Sequence, residues 1–131
     1  MHTITFLKRV LARDAASCLG IGAALALGAG ALAPLLGLER SLLFGAGATL
    51  IPVGLFMLWA ATRATPPRPA VYLIVAGNML WVLESLIVLR GAEAITAWGT
   101  AFVLVQAAAV AGLAGLEWIG VRRLAPVTSR G

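Results

Sequence analysis

AVYLIVAGNMLWVLESLIVLR, residues Ala70 to Arg90, is the stretch that decides how this chain is read. A helix needs about 20 mostly apolar residues to cross the hydrocarbon core of a bilayer. This run has that length, yet Asn78, Glu84 and Ser85 stand inside it. Polar groups at membrane depth are costly, so they face a partner helix or a wet cavity. The run therefore predicts a membrane helix packed among others that give these groups something to face.

The rest of the chain supplies those others. Apolar runs also cover Asp14 to Gly37, Leu42 to Thr62 and Ala94 to Val121. With the first stretch they give four spans, at about 14–37, 42–62, 70–90 and 94–121, in one domain covering 1–131. Leu38 to Ser41 and Gly91 to Glu93 read as short turns. Arg63 to Pro69, RATPPRP, holds three prolines and cannot continue a helix. Connections this short make sequential helices antiparallel neighbours. The fold class is all-α, an antiparallel four-helix membrane bundle. Pro52, inside the second run, removes one helical hydrogen bond and predicts a bend, with Thr49 placed to serve a freed carbonyl.

Composition agrees. Of the 131 residues 61% are hydrophobic and only 11% charged, against about 25% charged in soluble domains. The net charge of +5 does not indicate nucleic acid, because the basic residues cluster at the ends of apolar runs rather than along one face. Cys18 is the only cysteine and His2 the only histidine. An internal disulfide, a CxxC pair and a bis-histidine haem are excluded, and neither a metal site nor a cofactor is implied. A basic start and Ala-x-Ala triplets also suit a cleaved leader, but the first run exceeds the usual apolar core of about 7–15 residues. It reads as a retained span. Met1 to Arg13 reads as a basic interfacial segment, with Phe6, Leu7 and Val10 at the lipid boundary. Gly20, Ala24 and Gly28, and in parallel Gly22, Ala26 and Gly30, form small-residue rows that admit a close neighbour. Ala108 with Gly112 and Ala111 with Gly115 do the same on the fourth run.

Orientation follows from Lys and Arg. Lys8, Arg9, Arg13, Arg63, Arg68, Arg122, Arg123 and Arg130 fall on one side, Arg40 and Arg90 on the other. The positive-inside rule then places both termini in the cytoplasm.

On a helical projection Gly77, Asn78, Trp81, Glu84 and Ser85 share a sector of about 120° on the third helix. Gly99, Gln106, Leu113 and Glu117 fall near one line on the fourth. Counted from the turn between these helices, Asn78 and Gln106 both lie roughly 18–19 Å deep. This predicts an Asn78–Gln106 interhelical hydrogen bond. Glu84 lies roughly 9 Å inside that same edge, level with Ala31, Gly47, Ala48, Gly99 and Thr100. These small residues leave room for a pocket in which Glu84, with Trp81, Ser85 and Thr100, forms a ligand or proton site. The alternative is a carboxyl held architecturally by Trp81, Ser85, Thr100, Arg40 or Arg90. Glu117 reads as a partner of Arg13 or Arg122, and Asp14 as a helix-start residue. Trp59, Trp98 and Trp118 suit the membrane boundaries.

Arg13-Asp14, Gly77-Asn78-Met79-Leu80-Trp81 with Glu84-Ser85, Phe102 to Ala107, and Glu117-Trp118 with Arg122-Arg123 resemble an uncharacterised family of small bacterial four-span inner-membrane proteins. The chain is also similar, less closely, to DoxX-like proteins, which implies an antiparallel bundle and association with redox enzymes. It departs from small multidrug transporters, whose essential glutamate is in the first span. No Ser–His pair, histidine cluster or paired aspartates point to catalysis. The expected function is therefore non-enzymatic: an accessory subunit, or a binder of a small apolar or amphipathic molecule. The alternative is a proton-coupled transporter working as an oligomer. The expected partners are the lipid bilayer and either further copies or a larger membrane complex.

Overall fold

In lipid an unpaired backbone group has no water to bond, so an apolar run satisfies its own backbone by coiling. The computed structural model describes residues 2–124. In it α1 spans His2–Leu36, α2 Arg40–Thr62, α3 Arg68–Gly91 and α4 Ala97–Arg122. No strand occurs among the described residues, and the architecture is an all-α helical bundle. All four helices are long and apolar enough to cross a bilayer. Large apolar side chains point outward, with Leu27 89% and Val105 69% exposed. An apolar exterior of this kind suits lipid rather than water. The chain is a multi-pass membrane protein.

The helix bounds differ most in α1. Its 35 residues reach roughly 52 Å, well beyond a ~30 Å core. Residues 2–13 are not a separate interfacial segment but the first turns of this helix. Leu7, Leu11, Cys18, Gly22, Leu25 and Ala29 are all buried and recur every three to seven residues, one continuous core-facing stripe. Leu7 and Val10 therefore lie inside the bundle, while Arg9 and Arg13 stay exposed. Asp14, expected at a helix start, sits mid-helix in the same stripe and is 1% exposed.

Packing is uneven. α1 runs along α2 in a tight seam, α3 along α4, and α1 also against α4. Consecutive helices α2 and α3 barely touch. The proline-rich link at 63–67 carries the chain away instead of turning it back onto α2, and α4 joins α1 in closing the bundle. In the α1–α2 seam Gly22 faces the backbone of Gly47, and Gly54 faces Cys18 and Leu19. Of the two small-residue rows on α1, only Gly22, Ala26 and Gly30 meets a neighbour; Gly20 faces open space. Gly112 and Gly115 on α4 also face open space.

The link between α3 and α4 docks on the end of α1. Gly37 takes a left-handed conformation, φ +69°, and its N–H and that of Leu38 donate to the Ala33 carbonyl. Thr96 donates from its N–H to Leu36 O at 3.0 Å and from its hydroxyl to Leu35 O at 2.7 Å. The same hydroxyl accepts from Gly99 N, capping α4. One threonine thus satisfies carbonyls at the end of one helix and a donor at the start of another. α2 runs unbroken through Pro52, and Thr49 bonds Gly45 O at 2.8 Å. That is not the Ala48 carbonyl from which Pro52 withdraws a donor.

A Cβ on Gly47 would come within 2.5 Å of Ala26 N and Gly22 O, both backbone atoms, whereas one on Gly112 would meet nothing within 4 Å. Gly47→Ala is expected to destabilise the bundle by about 1–3 kcal/mol, the usual range for overpacking. Gly112→Ala is expected to be neutral or slightly stabilising. Thermal unfolding of the two variants in one detergent checks the contrast.

Candidate functional site

Two polar layers are built into the bundle. The inner one is sealed. Asn78 on α3 donates from its single amide nitrogen to Asp14 Oδ2 on α1 at 2.8 Å and to Glu117 Oε1 on α4 at 2.9 Å. An amide NH2 carries two protons, so one nitrogen can serve both acids. On α1 the Cys18 thiol, one turn above Asp14, reaches Asp14 Oδ1 and the sulfur of Met57 on α2, each at 3.8 Å. All four helices meet here. Asn78 is 5% exposed and Glu117 0%. Leu7, Leu11 and Val121, all fully buried, cover the layer on the side of the chain termini.

Glu117 is thus not paired with Arg13 or Arg122. Arg122 stacks over the Trp118 ring at 5.5 Å, and Arg13 is exposed. A separation of five residues also puts Arg122 about 140° around the helix from Glu117. Glu117 Oε2 has no hydrogen-bond partner.

The second layer lies toward the other end. Trp81 Nε1 donates to Gln106 Oε1 at 2.7 Å. Gln106 Nε2 donates to Ser85 Oγ and to Val103 O, each at 2.9 Å. Ser85 Oγ donates to Trp81 O at 2.8 Å. The predicted Asn78–Gln106 bond does not form. Gln106 meets α3 one to two turns further along, at Trp81 and Ser85, while Asn78 meets α4 three turns further along, at Glu117. The depth count assumed a tight turn at Glu93. Instead the chain crosses to α1 before α4 begins at Ala97, which resets the register. A two-helix count also omitted the third partner, Asp14.

This second layer forms the floor of a lateral groove of about 460 Å³ between α2 and α3. Leu25, Leu42, Leu43, Phe102 and Val103 supply its apolar surface. Trp81, Glu84 and Ser85 line it, and Gln106 joins them. Thr100 does not; it lies in the first turn of α4, where its N–H bonds Thr96 O. The small residues of the wall are Gly45 and Ala46, not Gly47 or Gly99. Gly47 is taken up by the α1–α2 seam, and Gly99 packs against Leu36. Glu84 itself is exposed at the rim, the one charged residue lining the groove.

The sealed layer is what the sequence reading missed. Its signal was present: Asp14 continues the stripe that runs through Leu7, Leu11 and Cys18, and a charge placed on a core stripe demands a buried partner. Among the described residues no cluster of three or more His, Cys, Asp or Glu is arranged to hold a metal. No known protein family, curated protein or solved structure matches the chain.

The two layers differ in what their loss exposes. Asn78→Leu strands two buried carboxyl groups and is expected to cost about 1–3 kcal/mol. Gln106→Leu removes a neutral interhelical bond worth about 0.6–2 kcal/mol. Detergent unfolding midpoints should therefore fall further for Asn78→Leu.

Proposed function

We propose that this chain is a non-enzymatic binder of a small amphipathic molecule, which enters the groove sideways from the bilayer between α2 and α3. The observation that carries this reading is the separation of those two helices over an apolar wall with a single carboxylate at its rim. A volume of about 460 Å³ falls within the range of about 300–1,000 Å³ typical of ligand pockets. The floor network is closed: both protons of the Gln106 amide, the indole N–H and the Ser85 hydroxyl proton are already spent. A ligand therefore gains little from the floor beyond apolar contact. Glu84 remains as the one charged group that can select a headgroup, and it favours a cation. An apolar tail carrying an amine fits this combination. The membrane span content and charge bias favour a bacterial inner membrane with cytoplasmic termini, which opens the groove toward the outer leaflet.

Two experiments test this reading. A single-chain alkylamine probe, titrated against the detergent-solubilised protein, should change the tryptophan emission, and a Trp81→Phe variant should lose that change. Ala46→Phe, which fills the wall, should weaken binding at least tenfold. Glu84→Gln should weaken the amine by up to about fivefold, as expected for an exposed ion pair, and leave the matching alkyl alcohol unchanged. Equal binding by wild type and Ala46→Phe removes the groove from consideration.

Orientation is checked independently. Cys18 is the only cysteine and is buried, so an introduced thiol reports alone. An impermeant maleimide should label Glu39→Cys in intact cells. Thr65→Cys should react only after permeabilisation.

A further inference from the structure

The groove makes no use of the sealed layer. Asp14 and Glu117 accept hydrogen bonds from the same Asn78 nitrogen, and Glu117 Oε2 is fully buried with no partner. We propose that Asp14, Asn78 and Glu117 form a proton-binding site that holds one proton between the two carboxyl groups.

Charge leads to this assignment. Two carboxylates side by side in a dry interior repel each other, and the usual remedy is a cation. Arginines and the half-buried Lys8 ring this end of the bundle, yet among the described residues none bonds to either acid. Arg63 stacks over Trp59 and Arg122 over Trp118. Arg68 donates to Leu124 O. Arg9, Arg13 and Arg123 are exposed. Every helix packed against the cluster contributes a neutral group or an acid: Cys18 and Asp14 from α1, Met57 from α2, Asn78 from α3 and Glu117 from α4. Asn78 has only two amide protons to give, and both are placed. A third proton, taken from water, completes the set by removing one negative charge and giving the carboxyl pair a donor of its own.

The site suits a proton rather than a hydrated ion. The lateral groove does not reach Asp14, Asn78 or Glu117. Its cover is hydrocarbon, with Leu7 packed against Gly120. Exchange with water therefore requires the first turns of α1 to part from the end of α4. Loss of the proton leaves like charges facing each other on α1 and α4, which drives those helices apart.

Glu39, Glu84 and Glu93 are present in both wild type and a variant lacking the two buried acids, so a carboxyl band that differs between the two reports on this pair. Infrared spectroscopy of the full chain in lipid should show one carboxylic-acid C=O band per chain, absent from the Asp14→Asn/Glu117→Gln double variant. Folded wild type without that band overturns the proposal, whether or not the variants fold. Stability supplies the second readout. Loss of the shared proton at high pH leaves two like charges facing each other in the native core, so raising the pH favours unfolding. The wild-type midpoint should fall from mildly acidic to alkaline pH. Glu117→Gln, a neutral isostere of the acid, should fold with a flat profile over the same range. A Glu117→Gln profile that falls in parallel with wild type overturns the proposal.

Discussion

Asn78 holds two acids on two other helices with one nitrogen, and the arrangement of the bundle depends on that contact. In a bilayer there is no general hydrophobic pressure between helices, because lipid tails are as apolar as leucine side chains. What fixes their rotation is the need to keep polar groups out of lipid. Asp14, Asn78 and Glu117 can each be satisfied only by turning inward, so α1, α3 and α4 share one orientation. Cys18 extends the set to α2 through Met57.

Close approach does the remaining work, and it is distributed unequally. α2 is held by glycines that bring its backbone against α1. α3 has no comparable seam toward α2, and its Gly77 faces open space. The α2–α3 side is therefore the weakly joined edge, and the lateral groove is its consequence. The second polar layer, Trp81–Gln106–Ser85, ties α3 to α4 beneath that groove and prevents the floor from opening further.

The sealed layer and the groove are separated along the bundle and differ in solvation. One lies beneath leucines near the arginine-rich end. The other is open to the side and carries an exposed carboxylate. Trp81, one turn from Asn78 on α3, belongs to the groove and lies next to the sealed layer. A shift of α3 relative to α1 and α4 would be felt at both.

By itself the sequence determined the class, the number of spans and the bias of charge toward one end. Those follow from composition and run length, which lipid reads directly. It also marked Trp81, Glu84 and Ser85 as neighbours, because three or four residues on one helix share a face whatever surrounds them. Only the tertiary structure decided which polar groups meet. Asn78 and Gln106 sit at matching counted depths, yet they bond to different partners because the α3–α4 link crosses to α1 before α4 begins. Asp14 looked like a helix start because charge clusters there, yet α1 had begun three turns earlier and carried it into the core. Periodicity along one helix is a local property. Register between helices is set by the conformation of the links and by competition among all four for the same few donors, and neither is written in any single span.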